Sequence, residues 1–146
     1  MTEARTIFKY ADSPESMCEQ DDFVLRVPTG ICSKVELLAA LASAGHFPDY
    51  FGGNWDALQD CLRDLSWISN RNVVVVHNDL PLLSSPVECS TYLEILQMAL
   101  ADWAGSVKPD AASPPSEWSY VDHELRVVFP TEVSAIVAQL VARGMM

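Results

Sequence analysis

Basic residues are scarce in this sequence of 146 residues, which has nine lysines and arginines against twenty aspartates and glutamates. The net charge of −11 disfavours nucleic acid and anionic membranes as partners, because both carry dense negative charge. We therefore expect no direct nucleic-acid binding and no membrane binding. A strongly acidic surface suits a basic protein partner, although acidity alone often serves only solubility.

The sequence also lacks a long apolar run and closely spaced cysteines. The segment Met1 to Asp21 is polar and acidic, so we expect no secretory signal. No apolar stretch reaches the length of about eighteen residues that a membrane helix needs. The four cysteines form no C-x-x-C pair, which argues against a zinc site. We predict a cytoplasmic protein with reduced cysteines.

Strand and helix patterns alternate along the chain, and its 49% hydrophobic content is enough for one core without disulfides or metal. The predicted strands are 23–27, 72–77 and 125–129, with an optional edge strand at 6–10; the predicted helices are 34–44, 55–65, 86–104 and 132–143. A capping box formed by Ser33 and Glu36 opens the first helix, which stops at Gly45.

This order predicts an α/β fold with two layers and a small parallel sheet. Strands that are joined by helical crossovers run parallel, and such crossovers are almost always right-handed. We expect about three strands, plus the optional N-terminal edge strand. The unbroken run Val73–Val76 is typical of a strand covered on both faces, so we expect the C-terminal helix to cover the face that the other helices leave open.

The stretch 47–65 carries the strongest functional pattern. Gly52 and Gly53 permit backbone angles that a side chain would forbid, and Asn54 is a good helix N-cap. On a helical wheel the next residues divide into an apolar side and a polar side. The apolar side holds Leu58, Cys61, Leu62 and Leu65, and the polar side holds Asp56, Gln59, Asp60 and Arg63.

Three interpretations of Asp56 and Asp60 compete. A solvated helix face explains Asp56, which lies near the positive end of the helix dipole, but explains Asp60 poorly, because like charges four residues apart repel. A hard-cation site would add Asp64 as a ligand, but no phosphate-binding glycine motif accompanies these carboxylates. The third interpretation is a helix that offers carboxylates to a basic cleft of a protein partner.

Residues 50–62 read Y-F-G-G-N-W-D-A-L-Q-D-C-L. They resemble the barstar family of intracellular ribonuclease inhibitors, whose hallmark is an aromatic loop, a glycine and an asparagine that caps a helix with D-A-L-x-D-C-L. A weaker likeness in the order of elements runs from about Asp22 to Phe129. We treat 1–146 as a single barstar-like domain with an N-terminal extension (1–21), a long loop (106–122) and a C-terminal helical extension (131–146).

The resemblance implies an inhibitor or immunity protein that binds a basic extracellular or toxin ribonuclease and occludes its active site with residues 48–65. Asp60 would take the place of an RNA phosphate, Asp56 would pair with an arginine at the rim, and Tyr50 would pack on the catalytic histidine. The predicted partner-binding residues are Tyr50, Phe51, Gly52, Asn54, Trp55, Asp56, Gln59 and Asp60. We predict no catalytic residue, no cofactor and no metal, and a monomer when free.

Some positions depart from the family pattern. Gly53 and Gln59 replace residues that are often acidic and aromatic, and the position of a further acidic contact falls on Met98, with Glu94 one turn earlier. These departures concern the identity of the ribonuclease. The alternative hypothesis is a protein-interaction adaptor of the same fold that does not inhibit a nuclease. A small metal-dependent enzyme comes third, since the three histidines make no recognisable catalytic set with other residues.

Overall fold

Strands and helices alternate in the computed structural model, which describes residues 8–48, 52–65, 67–104 and 123–144. The strands are β1 (Lys9–Ala11), β2 (Phe23–Val27), β3 (Asn72–His77) and β4 (Glu124–Pro130), and the α-helices are α1 (Lys34–Gly45), α2 (Trp55–Asp64), α3 (Pro86–Ala104) and α4 (Ser134–Gly144). Short 3₁₀-helices span Pro14–Met17 and Thr131–Val133. None of the helices in these ranges has the length and apolar character needed to cross a bilayer.

The four strands form one sheet in the order β1-β4-β3-β2, and every neighbouring pair is parallel. Val75 lies in the middle of the sheet, between Leu25 of β2 and Val127 of β4. The prediction of a small parallel sheet with an N-terminal edge strand is confirmed. The edge strand begins at Lys9, later than predicted, and residues 6 and 7 lie outside the described ranges.

The three helices α1, α2 and α3 run in the same direction over one face of the sheet. The ring of Trp55, at the start of α2, stacks on Tyr92 in the first half of α3. At the other end of α2, Arg63 pairs with Asp102 near the end of α3. The side chain of Lys34, the first residue of α1, lies over the Trp55 ring. The first turns of these helices therefore lie at the same end of the molecule.

The main core lies between this face of the sheet and the helices. Val73 and Val75 point into it, together with buried side chains of all four helices. The helix α4 packs beside α3 and contributes Val137 and Leu140 to the same core. The two-layer α/β arrangement that the sequence predicts is therefore present.

The position predicted for the C-terminal helix is wrong. The side chains of Val74, Val76 and Val128 form a second cluster on the opposite face, and that cluster packs against Met17 and Cys18 of the N-terminal segment. The reason is topological. Because β1 and β2 lie at opposite edges of the sheet, the chain between them must cross one face, and the helices already fill the other.

Shortening Met17 should therefore destabilise the protein. We expect Met17→Ala to lower the free energy of unfolding by about 1–2 kcal/mol, because the half-buried side chain covers Val74 and Val76. Chemical denaturation measures the change, and Gln20→Ala, at an exposed position three residues later, is the matched control. Equal unfolding midpoints for the two variants would contradict the assignment of this segment to the back of the sheet.

The end of α1 positions the chain that leads into α2. The helix stops at Gly45, as predicted, but the residue with left-handed backbone angles is His46 (φ 54°). Gly45 is favoured for another reason, because a Cβ there would lie 2.6 Å from the ring of Phe47, which would have to move. The indole N–H of Trp67 donates to the Gly45 carbonyl at 2.9 Å, and its ring packs edge-on against Phe47. Trp67 is thus an anchor between the ends of α1 and α2.

Candidate protein-binding site

The start of α2 is fixed by its cap. Asn54 has extended backbone angles, and its Oδ1 accepts a hydrogen bond from the Ala57 N–H at 2.7 Å. Gly53, immediately before it, has a φ of +74°, which a side chain would make costly. The predicted N-cap is confirmed, and it satisfies one of the N–H groups in the first turn that have no partner within the helix.

Loss of the cap should be measurable in stability. We expect Asn54→Ala to lower the free energy of unfolding by about 1 kcal/mol, because the Ala57 N–H loses its partner. Asn54→Ser keeps a capping oxygen and should retain most of the stability. Thermal or chemical unfolding of the three proteins tests this, and an alanine variant as stable as the serine variant would show that the cap is not stabilising.

The helix is divided between a buried and an exposed side, as the wheel predicts. Leu58, Cys61 and Leu62 are buried in the core. On the opposite side Asp56 and Asp60 are both exposed, one turn apart, and Gln59 beside them is half-buried. The apolar side fixes the helix on the protein, and the polar side presents the two carboxylates to solvent.

The end of α2 is held by side chains from outside the helix. The indole N–H of Trp103 donates to the Leu62 carbonyl at 2.8 Å. Nε2 of the buried His123 donates to the Leu65 carbonyl at 2.9 Å, since a carbonyl only accepts. Carbonyl groups in the last turn of a helix have no partner within the helix, and the Trp103 bond provides one for the Leu62 carbonyl. The Leu65 carbonyl accepts two hydrogen bonds, from His123 and from the Ile68 N–H at 3.1 Å.

A buried chain of aromatic contacts supports the start of α2. The half-buried Trp55 ring contacts the ammonium of Lys34, 5.5 Å from its centre, and stacks on the ring of Tyr92. The Tyr92 hydroxyl is 2.7 Å from Nε2 of His77, whose Nδ1 is 3.0 Å from the Val128 carbonyl. Because that carbonyl only accepts, Nδ1 carries the proton, and Tyr92 donates to Nε2.

The exposed surface continues from α2 onto α3. Nε2 of Gln59 lies 3.8 Å from the sulfur of Met98, and Arg63 pairs with Asp102 at 2.7 Å. Met98 is 43% exposed. We call this surface the α2–α3 face. It consists of Asp56, Gln59, Asp60, Arg63, Glu94, Met98 and Asp102.

Comparison with models of known protein families matches residues 23–112 to the family described as Barstar (barnase inhibitor). The matched range is well over half of the chain. This chain belongs to the barstar family. No curated protein and no solved structure matches it. The match runs from the first residue of β2 through α3, so it contains the capped helix and its neighbour, whereas β1, β4 and α4 lie outside it. The family is one of inhibitors and not of enzymes.

The predicted partner-binding residues fall into three groups. Tyr50 and Phe51 lie outside the described residues. Among the others, Trp55 and Gln59 are half-buried. The exposed residues are Gly52, Asn54, Asp56 and Asp60. The assignment of all eight to a barstar-like interface stays a prediction.

Asp102 and its ion pair with Arg63 belong to the α2–α3 face but are not among the residues that the sequence pattern indicates. A signal was present, because Glu94, Met98 and Asp102 follow one another at intervals of four residues and so lie along one side of a helix. The sequence does not determine how this row of side chains is aligned with the residues of α2.

The histidines have structural positions in the described part of this barstar-family fold. His46 ends α1, and His77 and His123 are buried with bonds to backbone carbonyls. Burial lowers the pKa of His77 from 6.5 to about 4. The described residues contain no group of three histidine, cysteine or acidic side chains placed to hold a metal ion, so the hypothesis of a cation site at Asp56, Asp60 and Asp64 gains no support.

Proposed function

We propose that this chain inhibits a basic ribonuclease by covering its active site with residues 48–65, and that Asp60 takes the place of an RNA phosphate. The observation that carries the proposal is the position of Asp60. It is exposed at the middle of a capped helix whose opposite side is buried, within the range that matches the barstar family. A carboxylate fixed in this way makes strong charge-assisted hydrogen bonds when it enters a cleft lined with cations.

The charge of the α2–α3 face supports a basic partner. The face holds four carboxylates, those of Asp56, Asp60, Glu94 and Asp102, and one basic residue, Arg63. The Arg63 guanidinium is paired with Asp102, and no ion pair found among the described residues neutralises Asp56 or Asp60. The two aspartates also repel each other across one helical turn. The charge of Asp60 therefore brings no advantage to the free protein, whereas a cation of the partner would relieve the repulsion.

Inhibition of RNA cleavage tests the proposal. Barnase, the enzyme named in the description of the family, is titrated with the purified chain, and hydrolysis of a fluorogenic RNA substrate is followed. We expect activity to fall to near zero at stoichiometric chain. Binding without loss of activity would favour the alternative, an adaptor of the same fold that does not inhibit a nuclease. No binding at all would contradict a partner of the barnase type.

Association with the ribonuclease should depend on ionic strength. A chain of net charge −11 attracts a basic enzyme over a distance set by the Debye length, which is about 30 Å at 0.01 M salt and about 10 Å at 0.1 M. Such steering is a known property of barnase and barstar. We expect the association rate measured by stopped flow to rise steadily as salt is lowered. A rate that stays flat across the salt series would contradict electrostatic steering.

We further propose that the protein acts in the cytoplasm and is monomeric when free. The four free cysteines, Cys18, Cys32, Cys61 and Cys89, support a reducing compartment such as the cytoplasm. The partner would be an extracellular or toxin ribonuclease, which the chain neutralises before it damages cellular RNA. Analytical ultracentrifugation of the free chain tests the monomer.

A further inference from the structure

The middle of the α2–α3 face is uncharged. Gln59 and Met98 contact each other there, with 3.8 Å between the amide nitrogen and the sulfur. Charged side chains surround this pair. Asp60 follows Gln59 on α2, and Glu94 and Asp102 lie one turn before and one turn after Met98 on α3. Arg63, one turn after Gln59, is the cation among them and is paired with Asp102. The two positions at which the sequence departs from the expected pattern on these helices are therefore neighbours in space.

Packing within the protein covers only part of the Met98 side chain. Met98 is 43% exposed, whereas Leu96, Ala99 and Leu100 of the same helix are buried. A single exposed apolar side chain is ordinary. Met98 differs because it stands within the row of acidic side chains that faces the proposed partner, and because the Gln59 amide lies against its sulfur.

We propose that Met98, with Gln59 against it, is a specificity-determining contact through which the chain distinguishes one basic ribonuclease from another. This inference rests on the proposed function. In one kind of ribonuclease, an apolar side chain lies opposite Met98 and is buried against its thioether. The cations of that ribonuclease then pair with the carboxylates around Met98. A ribonuclease with a cation at this point would lose water from that charge against an uncharged surface, which is unfavourable.

The experiment changes only the charge at position 98. Met98→Gln and Met98→Glu have the same shape, and Met98→Leu keeps an apolar side chain. Gln139→Glu is the matched control, since it adds the same single charge at an exposed position of α4, a helix that packs on α3 and lies outside the face. Inhibition constants are measured against barnase for all five proteins, including the unchanged chain. Unfolding midpoints confirm that each protein is folded.

We expect the inhibition constants of Met98→Glu and Met98→Gln to differ by about tenfold or more, while Gln139→Glu stays within about threefold of the unchanged chain. Weaker inhibition by the glutamate variant shows that the chain prefers an uncharged group at this point of barnase. Stronger inhibition shows that Met98 discriminates against a cation there. Either result supports the inference.

Inhibition constants for the two variants that agree within about threefold would overturn it, because an interfacial charge then has no more effect than a remote one. Failure of the proposed function looks different. In that case neither the unchanged chain nor any variant inhibits barnase, and the inference fails together with the function on which it rests.

Discussion

Replacing Asp60 by asparagine is expected to remove most of the affinity for the ribonuclease while leaving the fold at least as stable. In the proposed complex the carboxylate replaces an RNA phosphate among cations that have lost their water. Its removal leaves those cations buried and unpaired, which typically costs about 2–5 kcal/mol or more of binding free energy, a general figure for which barnase with barstar is one of the known examples. Inhibition should therefore weaken by a factor of at least about thirty.

The free protein should respond in the opposite direction. Asp60 is exposed, it has no ion pair among those found in the described residues, and it lies one turn from Asp56. Removing one of two like charges at this spacing should raise the free energy of unfolding by about 0.2–0.5 kcal/mol. Asp56→Asn is the matched control. Asp56 lies in the first turn, where its charge interacts with the helix dipole and should stabilise the helix by about 0.3–1 kcal/mol, a contribution that the variant loses.

Two measurements on each variant decide the role of Asp60: an inhibition constant against barnase and a denaturation midpoint. If Asp60→Asn inhibits as well as the unchanged chain, the carboxylate is not a phosphate mimic. If the denaturation midpoint of Asp60→Asn is much lower, Asp60 stabilises the free protein, and this result would favour the interpretation of a structural helix face over that of a binding face.

The second large effect concerns pH and the buried His77. Burial lowers the pKa of this imidazole from 6.5 to about 4, while its bond to the Val128 carbonyl acts in the opposite direction. The folded state thus prefers the neutral ring. This ring stacks on Phe129 with 4.0 Å between the ring centres, and its Nε2 accepts a hydrogen bond from the Tyr92 hydroxyl. A proton on Nε2 would remove that acceptor and place a charge inside the core.

The sign follows from the two pKa values. Above pH 6.5 the ring is neutral in both states, and its contribution to stability is fully present. As pH falls from 6.5 through 4, the unfolded chain binds the proton first. The protein should then lose about 2 kcal/mol of unfolding free energy by pH 5 and about 3 kcal/mol below pH 4.

Urea denaturation at a series of pH values measures this loss. Carboxylates also change protonation at the acid end of this range, so the comparison requires a variant without the imidazole. His77→Gln keeps an amide that can donate and accept but does not titrate, and its stability should fall less than that of the unchanged chain between pH 7 and pH 5. Parallel curves for the two proteins would show that His77 does not cause the acid sensitivity.

The sequence was sufficient for the elements with strong local signals. The valine run predicts β3 at Asn72–His77. Pro86 and the glycine at position 105 predict the start and the end of α3, which spans Pro86–Ala104. The wheel of α2 gave the exposure of Asp56 and Asp60, because periodicity alone decides which side of a helix is apolar. These features depend on neighbours in the chain, so they are readable without the fold.

Features that depend on distant segments were not predictable in the same way. The valine run requires a cover on each face of the sheet, but it does not say which segment provides it. That is decided by the position of β1 beside β4, which sends the chain with Met17 across the back. The contact between Gln59 and Met98 likewise depends on how α2 is aligned on α3, and neither helix encodes that alignment alone.

The bonds at both ends of α2 also determine how the helix would meet a partner. Asn54 satisfies an N–H at its start, and Trp103 and His123 satisfy carbonyls at its end. A helix of ten residues would be mostly unfolded by itself in water. Here it is held in one conformation before any encounter, so binding requires little loss of backbone entropy. The helix should therefore dock as a rigid element, and its share of the affinity should depend on side chains, with little contribution from ordering of its main chain.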